Sequence, residues 1–365
     1  MVEHTVVDVI VISQVPPPVH GSTVMTRTFL EMLRTTGRRS QLVDRRFSKS
    51  VDEIGTASFR KVLGAFSLLG RLWLALRRSP SADVVFFTTN RPPSFWVDVA
   101  MSVVLRALRR RYIAYVHTSG YADLAGAGTA QRRGVRLLLG GAASVVVLGT
   151  SMRADVQRFS STVRTIPNTV AESMPPEVPA AAAPSIVFVS NLIPGKGADE
   201  FMRIANRCLR DVPAARAVVV GRAPTTEYED ELRAILDSDV RTRVLFAGPL
   251  FDADRDAVVA SASVLVFPSS YRYEAQPLTV LEALRLGVPV VAYAVGGLGD
   301  VIDDDVNGYL VETRDREAAA DRCRSIMTSP DLRTRLGAGA RAVSEERFAP
   351  ARYAAAWSDL LEGRD

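Results

Sequence analysis

The chain has 365 residues, 47% of them hydrophobic and 23% charged, and a formal net charge of +5. That length suits two domains better than one core, and the balance excludes a disordered or fibrous chain. Its two cysteines (Cys208, Cys323) and three histidines (His4, His20, His117) make no disulfide framework and no metal-ligand spacing, so a reducing cytoplasm is the expected setting and no metal site is expected.

The apolar run Val6 to Ile12 is broken by Asp8 and soon meets three prolines, so it reads as a first strand and not as a signal peptide. No apolar run is long enough for a bilayer; the longest, Leu137 to Gly149, is short and holds two glycines. Thr5 to Ile12, Asp83 to Thr88, Tyr112 to Val116 and Ala143 to Leu148 read as strands, with helices such as Thr23 to Leu33 and Phe95 to Leu108 between them. This alternation predicts a doubly wound parallel sheet.

Val15-Pro-Pro-Pro-Val-His-Gly-Ser-Thr23 joins the first strand to the first helix. Ser22 and Thr23 are cap candidates there, and His20 stays open between a solvated and a functional role. His117 stands at the carboxyl end of its strand and opens a Thr-Ser-Gly loop. Arg60 to Arg78 is apolar with basic ends, and reads equally as a membrane-interface segment and as a helix covering the sheet. Phe95 to Arg111, also basic at its end, reads as a sheet-covering helix.

Residues 1–170 carry 23 Lys/Arg against 10 Asp/Glu, and residues 171–365 carry 22 against 30. The first half is therefore +13 and the second −8, so the first half is expected to meet something anionic. No nucleic-acid motif or interleaving of aromatic and basic residues is present, so an anionic membrane surface or a phosphate-bearing lipid is the expected partner.

Pro175 to Pro184 is a proline–alanine linker, which divides the chain into domains at 1–170 and 171–351. Beyond it Ser185 to Ser190, Ala215 to Val220, Arg243 to Phe246, Ser263 to Phe267 and Val288 to Ala292 read as strands, and Asp199 to Leu209 and Glu229 to Leu236 as helices. In the last helix, from Arg352, the residues Tyr353, Trp357, Leu360 and Leu361 fall at helical spacing.

The stretch Ser263 to Val311 holds the clearest chemistry. A strand ends at Pro268, a loop runs to Gln276, and Pro277 to Leu286 forms a helix stopped by Gly287. A further strand and the glycine turn Val295 to Asp300 complete a parallel βαβ unit, and ligands bind at the carboxyl ends of such strands. Glu274 lies in the loop. Glu282 lies inside the helix among Val280, Leu281, Ala283 and Leu284, where an unpaired carboxylate is costly. Vicinal ribose hydroxyls are suitable donors to it. Gln276, Pro277, Leu278 and Thr279 bring the helix start to the same crevice, where free amides and the helix dipole favour a diphosphate.

Glu274, seven residues, then Glu282, followed by Gly-Val-Pro-Val-Val-Ala, Gly-Gly and Asn307-Gly-Tyr-Leu-Val, resembles the retaining GT-B glycosyltransferases of family four. The resemblance is strongest over about residues 140–315. It implies two Rossmann-like domains facing each other across a cleft, with the terminal helix 352–365 packed back on the first. It also implies a retaining, metal-independent hexosyl transfer, with a nucleoside diphosphate sugar as co-substrate and no other cofactor. The acceptor would be a hydroxyl of a lipid-linked or cell-surface saccharide, in polysaccharide assembly at the inner face of the cell membrane.

Residue by residue, Lys196 in Ser190-Asn-Leu-Ile-Pro-Gly-Lys-Gly197 matches the family's diphosphate-binding lysine, and Asn191 stands where an arginine is expected. An amide hydrogen-bonds phosphate without offsetting its charge, and Arg222 is the candidate to compensate. Gly21 corresponds to a loop that approaches the donor phosphate. His117 matches a histidine that contacts the transferred sugar, Glu274 lies near that sugar, and Glu282 holds the ribose. Closure about 171–184 would complete the site. Two other readings are a nucleotide-sugar epimerase, against which the two glutamates and Lys196 argue, and a catalytically silent scaffold, which Asn191 keeps open.

Overall fold

The computed structural model of the chain describes residues 7–17, 19–45, 59–171 and 183–363. The proline–alanine linker lies almost wholly outside them, and so do the first two residues of the expected first strand. Two compact units are formed, Met1–Thr169 with Ala351–Asp365, and Val170–Pro350.

In the first unit, β1 (Val9–Ser13), β2 (Ser40–Asp44), β3 (Asp83–Thr88), β4 (Ile113–Val116), β5 (Ser144–Val147) and β6 (Val163–Thr165) make one parallel sheet. Its order is β2-β1-β3-β4-β5-β6. In the second, β7 (Ser185–Val189), β8 (Arg216–Val220), β9 (Val244–Gly248), β10 (Val264–Phe267), β11 (Val290–Tyr293) and β12 (Gly308–Val311) make another, ordered β12-β11-β10-β7-β8-β9. All pairings are parallel. Inner strands such as Val9–Ser13 and Val264–Phe267 are buried along their length, because helices cover both faces.

Three strands escape the periodicity argument. In β2 only Val43 is buried, so the run Ser-Gln-Leu-Val-Asp carries no apolar pattern. β6 has three residues at a sheet edge, and β12 was legible only as a motif. Pro277 proves to be the N-cap of the helix Leu278–Arg285 and not part of its first turn.

The last helix, Pro350–Leu361, joins the core of the first unit. The fully buried Trp357 meets Phe29 edge-on at 4.7 Å and Tyr115 at 4.8 Å between ring centroids, and the Tyr353 and Tyr115 hydroxyls lie 3.4 Å apart. Each such aromatic pair contributes roughly 0.5–1.5 kcal/mol beyond the area buried.

Candidate functional site

In the second unit the strand order reverses at β7, whose neighbours are β8 and β10. β7 and β10 run parallel, pairing Ile186 with Val264 and Val187 with Leu265, so the loops after both leave the same edge of the sheet. Such a switch point opens a crevice at the carboxyl ends of the strands.

The two loops are tied together by backbone. The Ser270 amide donates to the Gly195 carbonyl at 3.1 Å. Gly197 has φ of +93°, and a Cβ there would lie 2.3 Å from the Pro268 carbonyl oxygen, so only glycine fits. The turn after β11 presses on the second loop in the same way: at Gly296, with φ of +57°, a Cβ would lie 2.1 Å from the Glu274 carbonyl oxygen. The Gly297 amide donates to the Ala275 carbonyl at 2.8 Å.

This backbone frame brings Lys196 and Glu274 into direct contact. Lys196 Nζ donates to Glu274 Oε1 at 2.5 Å, and Ser269 Oγ donates to the same oxygen at 3.1 Å. The ammonium also sits 4.2 Å from the centroid of the Tyr271 ring, a cation–π distance. Glu274 and Gln276 are buried, while Lys196 keeps partial exposure. Beside them starts the helix Leu278–Arg285, whose N-cap, Pro277, makes no side-chain cap.

Glu282 lies apart from that pair. Its carboxylate already has a partner: Arg255 Nη2 donates to Oε1 at 2.8 Å. Where the sequence led to a ribose as that partner, the structure supplies an arginine from the helix Asp252–Ala260, which no local spacing marked. Arg255 Nη2 lies 3.4 Å from Asp256 Oδ1, and Arg285 donates to Asp256 Oδ2 at 2.5 Å. Burial pushes the Glu282 carboxyl above its ordinary range, and Asp256 adds to the rise; Arg255 and Arg285 pull it back.

Asn191 and Arg222 are both exposed, on the loops after β7 and β8. These loops touch, since the Leu192 amide donates to the Arg222 carbonyl at 3.0 Å.

His117 and Gly21 belong to the first unit, and Lys196, Glu274, Glu282, Asn191 and Arg222 to the second. The His117 ring stacks on Phe87 at 5.0 Å and meets Tyr115 edge-on at 4.1 Å. Burial pushes its pKa down to about 3, so the imidazole is neutral near pH 7, and its buried Nε2 has no hydrogen-bond partner among the described residues. Gly21 opens the helix Gly21–Thr35, and a Cβ there would meet nothing within 4 Å, so packing within the chain does not require a glycine. His20 is half-buried and hydrogen-bonded. It is the N-cap, its ring nitrogens 3.0 Å from Gln14 Nε2 and 3.1 Å from Ser22 Oγ, and its amide donates to Thr23 Oγ1 at 3.0 Å.

Residues 171–343 match the family model described as Glycosyl transferases group 1. The chain is 38% identical over 181 residues to a D-inositol 3-phosphate glycosyltransferase of Xylanimonas cellulosilytica, a match covering 49% of this chain and 42% of that protein. It is 28% identical over 285 residues to the GDP-mannose-dependent alpha-(1-6)-phosphatidylinositol monomannoside mannosyltransferase of Mycolicibacterium smegmatis, covering 71% and 72%. The chain spans less than half the length of several curated relatives it matches, 42% and 39% of two D-inositol 3-phosphate glycosyltransferases. In fold it is similar to sucrose-phosphate synthase from Thermosynechococcus elongatus, with a TM-score of 0.78, 20% identity and 98% of both chains covered. Anabaena HepE in complex with UDP gives a TM-score of 0.75 at 16% identity, covering 98% of this chain and all of that one. The architecture shared with these structures is the GT-B fold.

Proposed function

We propose that the chain, whose residues 171–343 match the family model described as Glycosyl transferases group 1, transfers a sugar from a nucleoside diphosphate sugar to an acceptor hydroxyl. The observation that carries this reading is the Lys196–Glu274 pair at the reversal point of the second sheet, beside an uncapped helix start. A diphosphate that takes Lys196 gains a cation and the helix-start amides, and frees the Glu274 carboxylate to face the sugar. Lys196 and those amides would meet the leaving-group charge without a metal ion, with Asn191 adding a neutral donor and Arg222 a nearby cation. No side chain is assigned as a nucleophile. Retention then follows from attack on the face the diphosphate leaves, the acceptor proton departing with a diphosphate oxygen.

The acceptor is proposed to be a phosphate-bearing or lipid-linked polyol or saccharide, because residues 1–170 carry a charge of +13. Relatives named for inositol phosphate and phosphatidylinositol mannoside point the same way. The helix Phe59–Arg78 exposes Phe66, Trp73 and Leu74 beside Arg71, Arg77 and Arg78, and Arg77 lies 5.0 Å from the Trp73 ring. That mixture suits an anionic membrane surface, and hence a peripheral place on the inner face of a cell membrane during envelope polysaccharide assembly. Among the described residues no helix is long and apolar enough to cross a membrane.

A thermal-shift panel of UDP-, GDP-, ADP- and TDP-linked sugars on wild type and Glu282→Ala tests the donor reading, because a ligand selective for the folded state raises the melting temperature. Stabilisation by one nucleotide class, lost in the variant and insensitive to EDTA, is expected. No shift with any donor would overturn the reading and favour the silent scaffold that Asn191 suggests. For the surface, sedimentation with liposomes should require anionic lipid; equal weak binding to neutral vesicles counts against it.

A further inference from the structure

Glu282 has two carboxylate oxygens in unlike states. Oε1 accepts from Arg255 at 2.8 Å, whereas Oε2 makes no hydrogen bond among the described residues, and the side chain keeps 13% of its exposure. Arg255 in turn is confined. Its Nη2 is shared between Glu282 and Asp256, and Asp256 is anchored on its other oxygen by Arg285 at 2.5 Å. Two positive and two negative groups from neighbouring helices thus close a neutral quartet, with one carboxylate oxygen left over.

We propose that Arg255 is a positioning residue for the donor ribose, holding Glu282 so that its second oxygen accepts from the ribose hydroxyls. The inference rests on the donor reading above. A free glutamate gives up side-chain entropy worth up to about 1.5–2 kcal/mol when it is ordered, and a carboxylate already fixed by an arginine avoids much of that loss on binding. Arg255 also favours the ionised form, which burial and Asp256 disfavour. A hydrogen bond from a hydroxyl to an ionised carboxylate is stronger than one to a neutral group.

The test compares UDP, GDP and ADP with their 2′-deoxy counterparts on the full chain by calorimetry, using the base that binds. Wild type should prefer ribose by about 10- to 100-fold, the range expected for a hydrogen bond to a charged group. In Arg255→Met the preference should fall to within about threefold, and Arg255→Lys should recover part of it. Equal weakening of both nucleotides by Arg255→Met, with the ratio intact, would mean that Arg255 only packs two helices, and overturns the proposal while leaving the donor reading standing. If Arg255→Met does not fold, the ratio in Arg255→Lys decides: reduced at a near-native melting temperature it supports the proposal, unchanged it overturns it. A wild type that binds none of the six nucleotides overturns the donor reading and this inference together.

Discussion

Lys196 Nζ and Glu274 Oε1 lie 2.5 Å apart although 78 residues separate them in the chain. The two sit on loops from adjacent parallel strands, and glycines at 197 and 296 hold both loops against backbone. In this arrangement each charge answers the other, so on the proposed donor reading an incoming diphosphate would exchange one anion for another at Lys196 instead of meeting a bare cation.

The first expectation concerns that pair. Single and double substitutions, Lys196→Ala and Glu274→Ala, should be non-additive in urea unfolding, with a coupling of about 0.5–3 kcal/mol. A coupling near zero would show that the pair does not form in solution. In the same set, Lys196→Ala should weaken binding of a nucleoside diphosphate far more than binding of the nucleoside.

The glycines give a second expectation. Gly197→Ala and Gly296→Ala put a Cβ against carbonyl oxygens at left-handed φ, and each should destabilise the chain by about 1–3 kcal/mol. Gly21→Ala meets open space and should leave the melting temperature unchanged or slightly raised, yet raise the KM for the donor where the loop approaches phosphate. Unaltered donor kinetics in Gly21→Ala would remove that loop from the site.

Asp98 provides a pH test. It is fully buried beside Arg45, with Arg45 Nη2 2.5 Å from Oδ1, and accepts from the Thr89 amide at 2.8 Å on Oδ2. Burial pushes its pKa up to about 7, against the pull of Arg45. The folded chain therefore keeps a proton that the unfolded chain releases, and this residue's contribution to stability declines as pH rises from about 4 to about 7. Melting of Asp98→Asn against wild type should show the variant gaining relative stability from about pH 4 to about pH 7 and levelling off above it. A constant difference across that range would refute the shift. Asp98→Ala, which leaves Arg45 buried without its anion, should cost about 3–5 kcal/mol.

Trp357 tests the terminal helix. Removing a fully buried indole that touches Phe29, Tyr115 and Tyr353 should cost about 3–5 kcal/mol in Trp357→Ala. Trp357→Phe, which keeps a ring in place of the indole, should cost much less. Equal losses from the two would mean that ring packing is not what holds the helix.

The sequence by itself determined the alternation of strands and helices, because runs such as Val264–Phe267 and Val290–Tyr293 are apolar along their whole length when both faces are covered. It also determined the spacing of Glu274 and Glu282, since one loop and one helix turn fix how far apart they stand. Local pattern did not reveal β2, where a single buried valine among half-buried and exposed neighbours carries no period. Partners were beyond it altogether. Arg255 reaches Glu282 from another helix, Lys196 reaches Glu274 from another strand, and His117 loses its charge between Phe87 and Tyr115. Those pairings depend on strand order and on which faces the crossovers bring together. Only the packed sheet decides them, and with them which charges are cancelled and which oxygen of Glu282 is left without a partner among the described residues.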